Sequence, residues 1–138
     1  MPIIIPFSPL PGLEKSGILV PMIPVTFSNG IKDFNTFALV DSGAERGLIS
    51  TVIADSLGII WEKLPKQTGF TAAGQFTFRI FKDLHISVYN HEFLMDMNIV
   101  DGINAFRCIL GRKDLFRREK ISFECYKNQF QIDFRKYN

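Results

Sequence analysis

Asp41 stands at the end of an apolar run, Phe37-Ala38-Leu39-Val40, and is followed at once by Ser42, Gly43 and Ala44. A carboxylate delivered by a buried strand starts from a poorly solvated position, where ionisation is costly. In that setting a carboxyl group can serve as a general acid or base. Gly43 and Ala44 are small, so backbone or ligand can approach closely. Asp, Ser and Gly are also ordinary turn formers that end strands. A second stretch, "CILGRKDLFRREKISFE" (residues 108–124), runs an apolar pair, Ile109 and Leu110, into Gly111. Arg112 follows, then a short helical segment with Leu115 and Phe116, then a strand. Cys108 and Cys125 have no metal-site spacing and make no disulfide framework. His85 and His91 lie six positions apart with no cysteine nearby, so they read as strand residues rather than zinc ligands. No metal and no cofactor is expected.

The elements that must position Asp41 are mostly strands. "QFTFRIF" puts Phe76, Phe78 and Ile80 on one face with Thr77 and Arg79 on the other. "LHISVYN" alternates Leu84, Ile86 and Val88 in the same way. "KISFECY" and "QFQIDFR" alternate again and are joined through Lys127-Asn128 as a tight hairpin. Pro21 and Pro24 make the early strand an edge strand or a bulged one. Helix is scarce: "STVIADSLG" predicts two turns from an Ser50 N-cap to a Gly58 C-cap. "RKDLFRRE" predicts a second short helix after Gly111. Five or more strands with two short helices, in a single domain spanning residues 1–138, point to an all-β fold, closed or sandwich-like.

Composition narrows the function. Net charge is +2, too mild for a nucleic-acid binder, and the basic stretch 112–120 is interleaved with acids, as on a solvated helix face. The 14 phenylalanines fit a bulky core or apolar ligand pockets. "MPIIIPFSPLPG" has no basic start and is broken by prolines, unlike a signal peptide. The apolar stretch "ILVPMIPVTF" falls short of the ~20 residues that span a bilayer. A soluble, cytoplasmic protein without membrane or nucleic-acid partners is the expectation.

Taken together, "ALVDSGAERGLIS" and the downstream "ILGRKDLF" resemble the retropepsin-like aspartic proteases, the single-domain, retroviral-type members of that clan. The resemblance spans about residues 18–134 and implies a closed, β-barrel-like fold with a flap hairpin. By position, Asp41 matches the catalytic aspartate. Ser42 matches the hydroxyl residue that braces two catalytic loops across a dimer, and Gly43 and Ala44 complete the active loop. Ile109, Leu110 and Gly111 match the element packed beneath that loop. Arg112 matches the arginine that pairs with an acid just past the first motif, here Glu45. The flap falls in residues 67–78, where Gly69 and Gly74 flank Phe70, Thr71, Ala72 and Ala73.

Peptide hydrolysis without metal or covalent intermediate needs one group to activate water and another to protonate the leaving amine. Two carboxylates sharing a proton do both. The sequence has one Asp-Ser-Gly, so the resemblance implies a homodimer with one Asp41 from each chain and a peptide or protein substrate. "PIIIP" and "FQIDFRKYN" at the two ends are short apolar or alternating pieces that could interleave in an intermolecular sheet, as the resemblance implies. Two other readings stay open: a non-catalytic dimeric peptide-binding module on the same fold, and an unrelated small β-barrel that binds ligand or nucleic acid. The intact Asp41-Ser42-Gly43-Ala44 string speaks against the first. The mild charge speaks against the second.

Overall fold

A computed structural model describes residues 2–72, 74–101 and 108–135. The strands are β1 (Ile3–Pro6), β2 (Ser8–Pro9), β3 (Leu19–Val20), β4 (Met22–Asn29), β5 (Lys32–Val40) and β6 (Leu48–Ser50). After helix α1 (Thr51–Ser56) come β7 (Gln67–Thr71), β8 (Gly74–Val88), β9 (His91–Val100), β10 (Cys108–Leu110), β11 (Lys120–Glu124) and β12 (Gln129–Asp133). Period-two alternation sets their faces: along β9, Phe93, Met95, Met97 and Ile99 are buried, while Leu94, Asp96, Asn98 and Val100 look outward.

The main sheet runs β4-β5-β10-β6-β9-β8-β7, and β4 also pairs with β8, which closes the sheet on itself. Phe27 sits at this closure, opposite Phe34 on one side and Ile86 on the other. The enclosed core includes Ile23, Phe27, Ile49, Ile86, Met97 and Leu110. Pro24 lies in the half of β4 that pairs only with β5, so its missing N–H leaves no gap in a second ladder. The architecture is all-β, as expected.

Helix α1 follows its caps. Ser50 Oγ accepts from the Ile53 N–H, and Gly58, one residue beyond the C-cap, takes φ +70°. Gly58 N–H bonds to Asp55 O and Ile59 N–H to Ala54 O, the paired closure of a Schellman motif.

Two local expectations change. "QFTFRIF" and "LHISVYN" form one strand, β8, whose register shifts between Phe81 and Leu84, with Asp83 at φ +55°. Asp tolerates that left-handed conformation, so the strand continues through a short irregularity. The β11–β12 connection is longer than Lys127-Asn128: Cys125–Lys127 form a 3₁₀ turn, and Asn128 takes φ +51° to restart the strand.

The terminal segments pair with each other within this chain. Ile3 faces Ile132 and Ile5 faces Phe130 in a β1-β12-β11 sheet. Burial of Ile5, Phe130 and Ile132 in the common core holds this pairing; residues 136–138 of the C-terminal segment lie outside the described residues. His91 stacks on Phe134 with ring centroids 4.0 Å apart, a packing role for a strand histidine.

Closure of the sheet through a fully buried aromatic gives a direct expectation. Phe27→Ala should destabilise the fold by about 3–5 kcal/mol, read as a lower urea midpoint at unchanged slope. A loss below about 1 kcal/mol would show that the closure does not depend on Phe27.

Candidate active site

Parallel pairing of β5 with β10 brings the two sequence motifs side by side. Leu39 faces Ile109 and Val40 faces Leu110, so both strands end together and their turns emerge at one place. Backbone hydrogen bonds then lace the turns. Asp41 N–H donates to Leu110 O (3.0 Å), Arg112 N–H to Ala44 O (2.9 Å) and Lys113 N–H to Glu45 O (2.8 Å). Behind them, Val40 N–H donates to Pro21 O (2.9 Å). The close approach requires glycine at 111: a Cβ there would lie 2.7 Å from Ala44 O.

Within this frame the Asp41 carboxyl group is half-buried, and its Oδ1 accepts the Gly43 N–H at 2.8 Å. That bond, with Ala44 N–H on Asp41 O (3.2 Å), holds the side chain in one orientation. Its other carboxylate oxygen has no hydrogen-bond partner among the described residues. Ser42 is exposed, while Gly43 and Ala44 complete the turn. Ile109 is half-buried and Leu110 fully buried beneath it.

The charged neighbours are arranged differently from the sequence expectation. Glu45 pairs with Lys113 (3.2 Å), whose ammonium, by hydrogen bond and by charge, holds the Glu45 carboxyl below its ordinary range. Arg112 instead donates from Nη1 to Ser42 O at 3.2 Å. The backbone explains the exchange. Lys113 N–H is on Glu45 O and Arg112 N–H on Ala44 O, so each side chain reaches a different part of the loop.

Asp114 is the residue that sequence reasoning missed. The stretch 112–120 is not simply a solvated face: Asp114 is 2% exposed, Leu115 fully buried and Glu119 nearly so. Residues Arg112–Phe116 form a single π-helical turn whose interior carries Asp114 and Leu115. Asp114 Oδ2 accepts the N–H of Gly111 (3.1 Å) and that of Gly47, tying the end of the Asp41 loop to the glycine turn. A Cβ on Gly47 would lie 2.5 Å from Ile109 O, so this approach too needs glycine. An acid three residues beyond a glycine that opens a helical turn has N-terminal capping spacing, and that was its sequence signal. Desolvation pushes the Asp114 carboxyl up; the two glycine N–H bonds and the charges of Arg46 and Arg118 oppose it. Its neighbour Cys108, also buried, has its thiol raised by desolvation and by the Asp114 charge.

The hairpin expected as the flap is present as β7 and β8. Gln67 faces Phe78, Gly69 faces Phe76 and Thr71 faces Gly74, which takes φ +123°. Ala72 is exposed at the turn, and Ala73 lies outside the described residues. The two faces differ. Phe76 and Phe78 pack at 5.4 Å on the face of Gly69, where a Cβ would meet the Phe76 ring at 2.5 Å. Phe70, 76% exposed, is on the other. At the root, Arg79 donates to Glu62 O (2.8 Å) and Leu64 O, and its guanidinium lies 5.4 Å from the Trp61 ring. Trp61 Nε1–H donates to Asp55 Oδ1 (2.8 Å), which extends the anchor to α1.

Asp114 yields a prediction with a definite sign. A carboxyl group that holds its proton more tightly folded than unfolded loses stability as pH rises from about 4 through its raised value. Asp114→Asn keeps an acceptor for both glycine N–H groups and removes the charge, so its stability relative to the parent should rise over that span. Asp114→Ala leaves two buried donors unpaired and should cost about 2–5 kcal/mol. Urea melts at several pH values check both; parallel pH curves for parent and Asn variant would refute the assignment.

No family model matches the chain, and no curated protein sequence matches it. Among solved structures, the crystal structure of a retropepsin-like aspartic protease from Rickettsia conorii is similar, with a TM-score of 0.67. Identity is 18%, over 96% of this chain and 90% of that one. The likeness is one of fold: this chain has an all-β, retropepsin-like fold.

Proposed function

We propose that the chain is an aspartic endopeptidase that hydrolyses peptide bonds with water activated between two Asp41 carboxylates, one from each chain of a homodimer. The observation that carries this reading is the Asp41 turn. A half-buried carboxylate, oriented by the Gly43 N–H and laced to the Gly111 turn, stands at the end of a strand in a retropepsin-like fold. No described helix is long and apolar enough to cross a membrane.

The chemistry follows from pairing. Like charges a few ångströms apart do not both ionise, so two facing carboxyl groups share one proton. The ionised member takes a proton from water as that water attacks the carbonyl carbon. The protonated member first stabilises the developing oxyanion, and a proton then passes to the leaving nitrogen. In this reading Ser42, exposed on the turn, meets its counterpart across the two-fold axis. Ala44, Glu45, Ile109, Leu110, Gly111 and Arg112 hold the loop in place. The β7–β8 hairpin, residues 69–74 at its tip, closes over the peptide and excludes water. Residues 1–138 act as one such domain.

A mixing experiment tests the shared site. Asp41→Asn should fold and be inactive, and on exchange with wild-type chains it should form dimers holding one carboxylate. Random pairing at equal amounts leaves about one quarter of dimers with both aspartates, so activity should fall to about half that of the wild-type chains alone. Undiminished activity, with exchange verified by mass spectrometry, would refute the two-chain mechanism.

A further inference from the structure

Strand β8 belongs to two structures at once. Residues 74–77 pair with β7 alone, and β7 is the edge strand of the sheet, whereas from Phe78 onward β8 is paired with β9. Phe78 has a partner on each side, Gln67 in β7 and Val100 in β9, so the hairpin leaves the closed sheet at this point. The β7–β8 ladder also stops there. Pro65, which a continued register would set opposite Ile80, has no N–H to give.

Arg79, the next residue of β8, joins the two legs with its side chain instead. Its Nη1 donates to Glu62 O (2.8 Å) and to Leu64 O, both on the chain that leads into β7. The guanidinium lies 5.4 Å from the Trp61 ring centroid. Trp61 and Leu64 pack on the core, and Trp61 Nε1–H donates to Asp55 Oδ1 at 2.8 Å, which carries the tie to α1. A planar guanidinium donates in its plane and stacks on a ring with its face, which an ammonium does not. A pocket of about 400 Å³ lies beside the tie, lined by Thr51, Trp61, Lys66, Phe78, Arg79 and Ile99. That space lets Phe78 and Arg79 shift without pressing on a packed core, so the joint bends while the ladders on either side stay rigid.

We propose that Arg79 is a positioning residue for peptide capture. Through Glu62, Leu64 and Trp61 it sets the angle at which the β7–β8 hairpin leaves the sheet, and so how readily a peptide is held over Asp41. It acts through the hairpin and not on the reacting atoms. This inference rests on the peptidase reading of the Asp41 turn, and hydrogen exchange tests it separately from cleavage.

Arg79→Met in the full chain keeps the aliphatic stem and removes the donors. Amide hydrogen exchange, read without peptide, should be about tenfold faster in residues 67–77 and unchanged in β4 and β9, as expected for losing the bonds that hold a local unit closed. With fluorogenic peptides carrying a central Phe, KM should rise about tenfold while kcat stays within about twofold, because capture and not chemistry is weakened. Asp55→Ala, at an exposed site, should move both readouts the same way by a smaller factor, since it loosens only Trp61. Exchange that quickens equally along the whole chain, or a loss confined to kcat, would overturn the role of Arg79. Wild-type cleavage with unchanged exchange in Arg79→Met would do so too, and would leave the peptidase standing. A wild-type chain that cleaves no peptide would instead sink the peptidase reading, and the capture role with it.

Discussion

The parallel pairing of β5 with β10 is the constraint on which the rest depends. Two strands far apart in the chain end in the same plane, and Asp41 N–H closes on Leu110 O. Two further cross-loop backbone bonds follow, Arg112 N–H on Ala44 O and Lys113 N–H on Glu45 O, each contributing on the order of 1 kcal/mol net. Their larger effect is geometric, because a register slip of one residue would turn Asp41 from the open face toward the core. Gly111 and Gly47 are consequences of this lacing, since a side chain at either would press on the backbone of the opposite strand or loop.

Charge is distributed around this frame by burial rather than by sequence distance. Glu45 and Lys113 form an exposed pair that contributes little to stability, yet it marks where the loop lies. Asp114 is the opposite case, a buried acid retained although desolvation opposes its ionisation, because two backbone donors converge on it. Arg46 lies between these extremes, oriented by the Asn98 amide and close enough to Asp114 for its charge to favour that carboxylate. Four charged residues in one neighbourhood thus fall into three different physical arrangements, decided by what each can reach.

The hairpin is tied down at its root. Arg79, Trp61 and Asp55 lock its root to α1, while the Ala72 end carries exposed residues. Packing of Phe76 and Phe78 against Gly69 stiffens the ribbon between root and tip.

Much of this was legible from residue order. Alternation placed the strands, Ser50 and Gly58 bounded α1, the two glycines framed the hairpin, and the strand-end position of Asp41 followed from the apolar run before it. These features are local, because side-chain periodicity and turn chemistry act over a few residues. What needed the tertiary structure were choices between residues of like chemistry: Lys113 rather than Arg112 beside Glu45, and Asp114 rather than its exposed neighbours in the core. Such choices depend on strand register and on which backbone groups converge after the sheet closes, and a charge or an alternation pattern alone does not encode them.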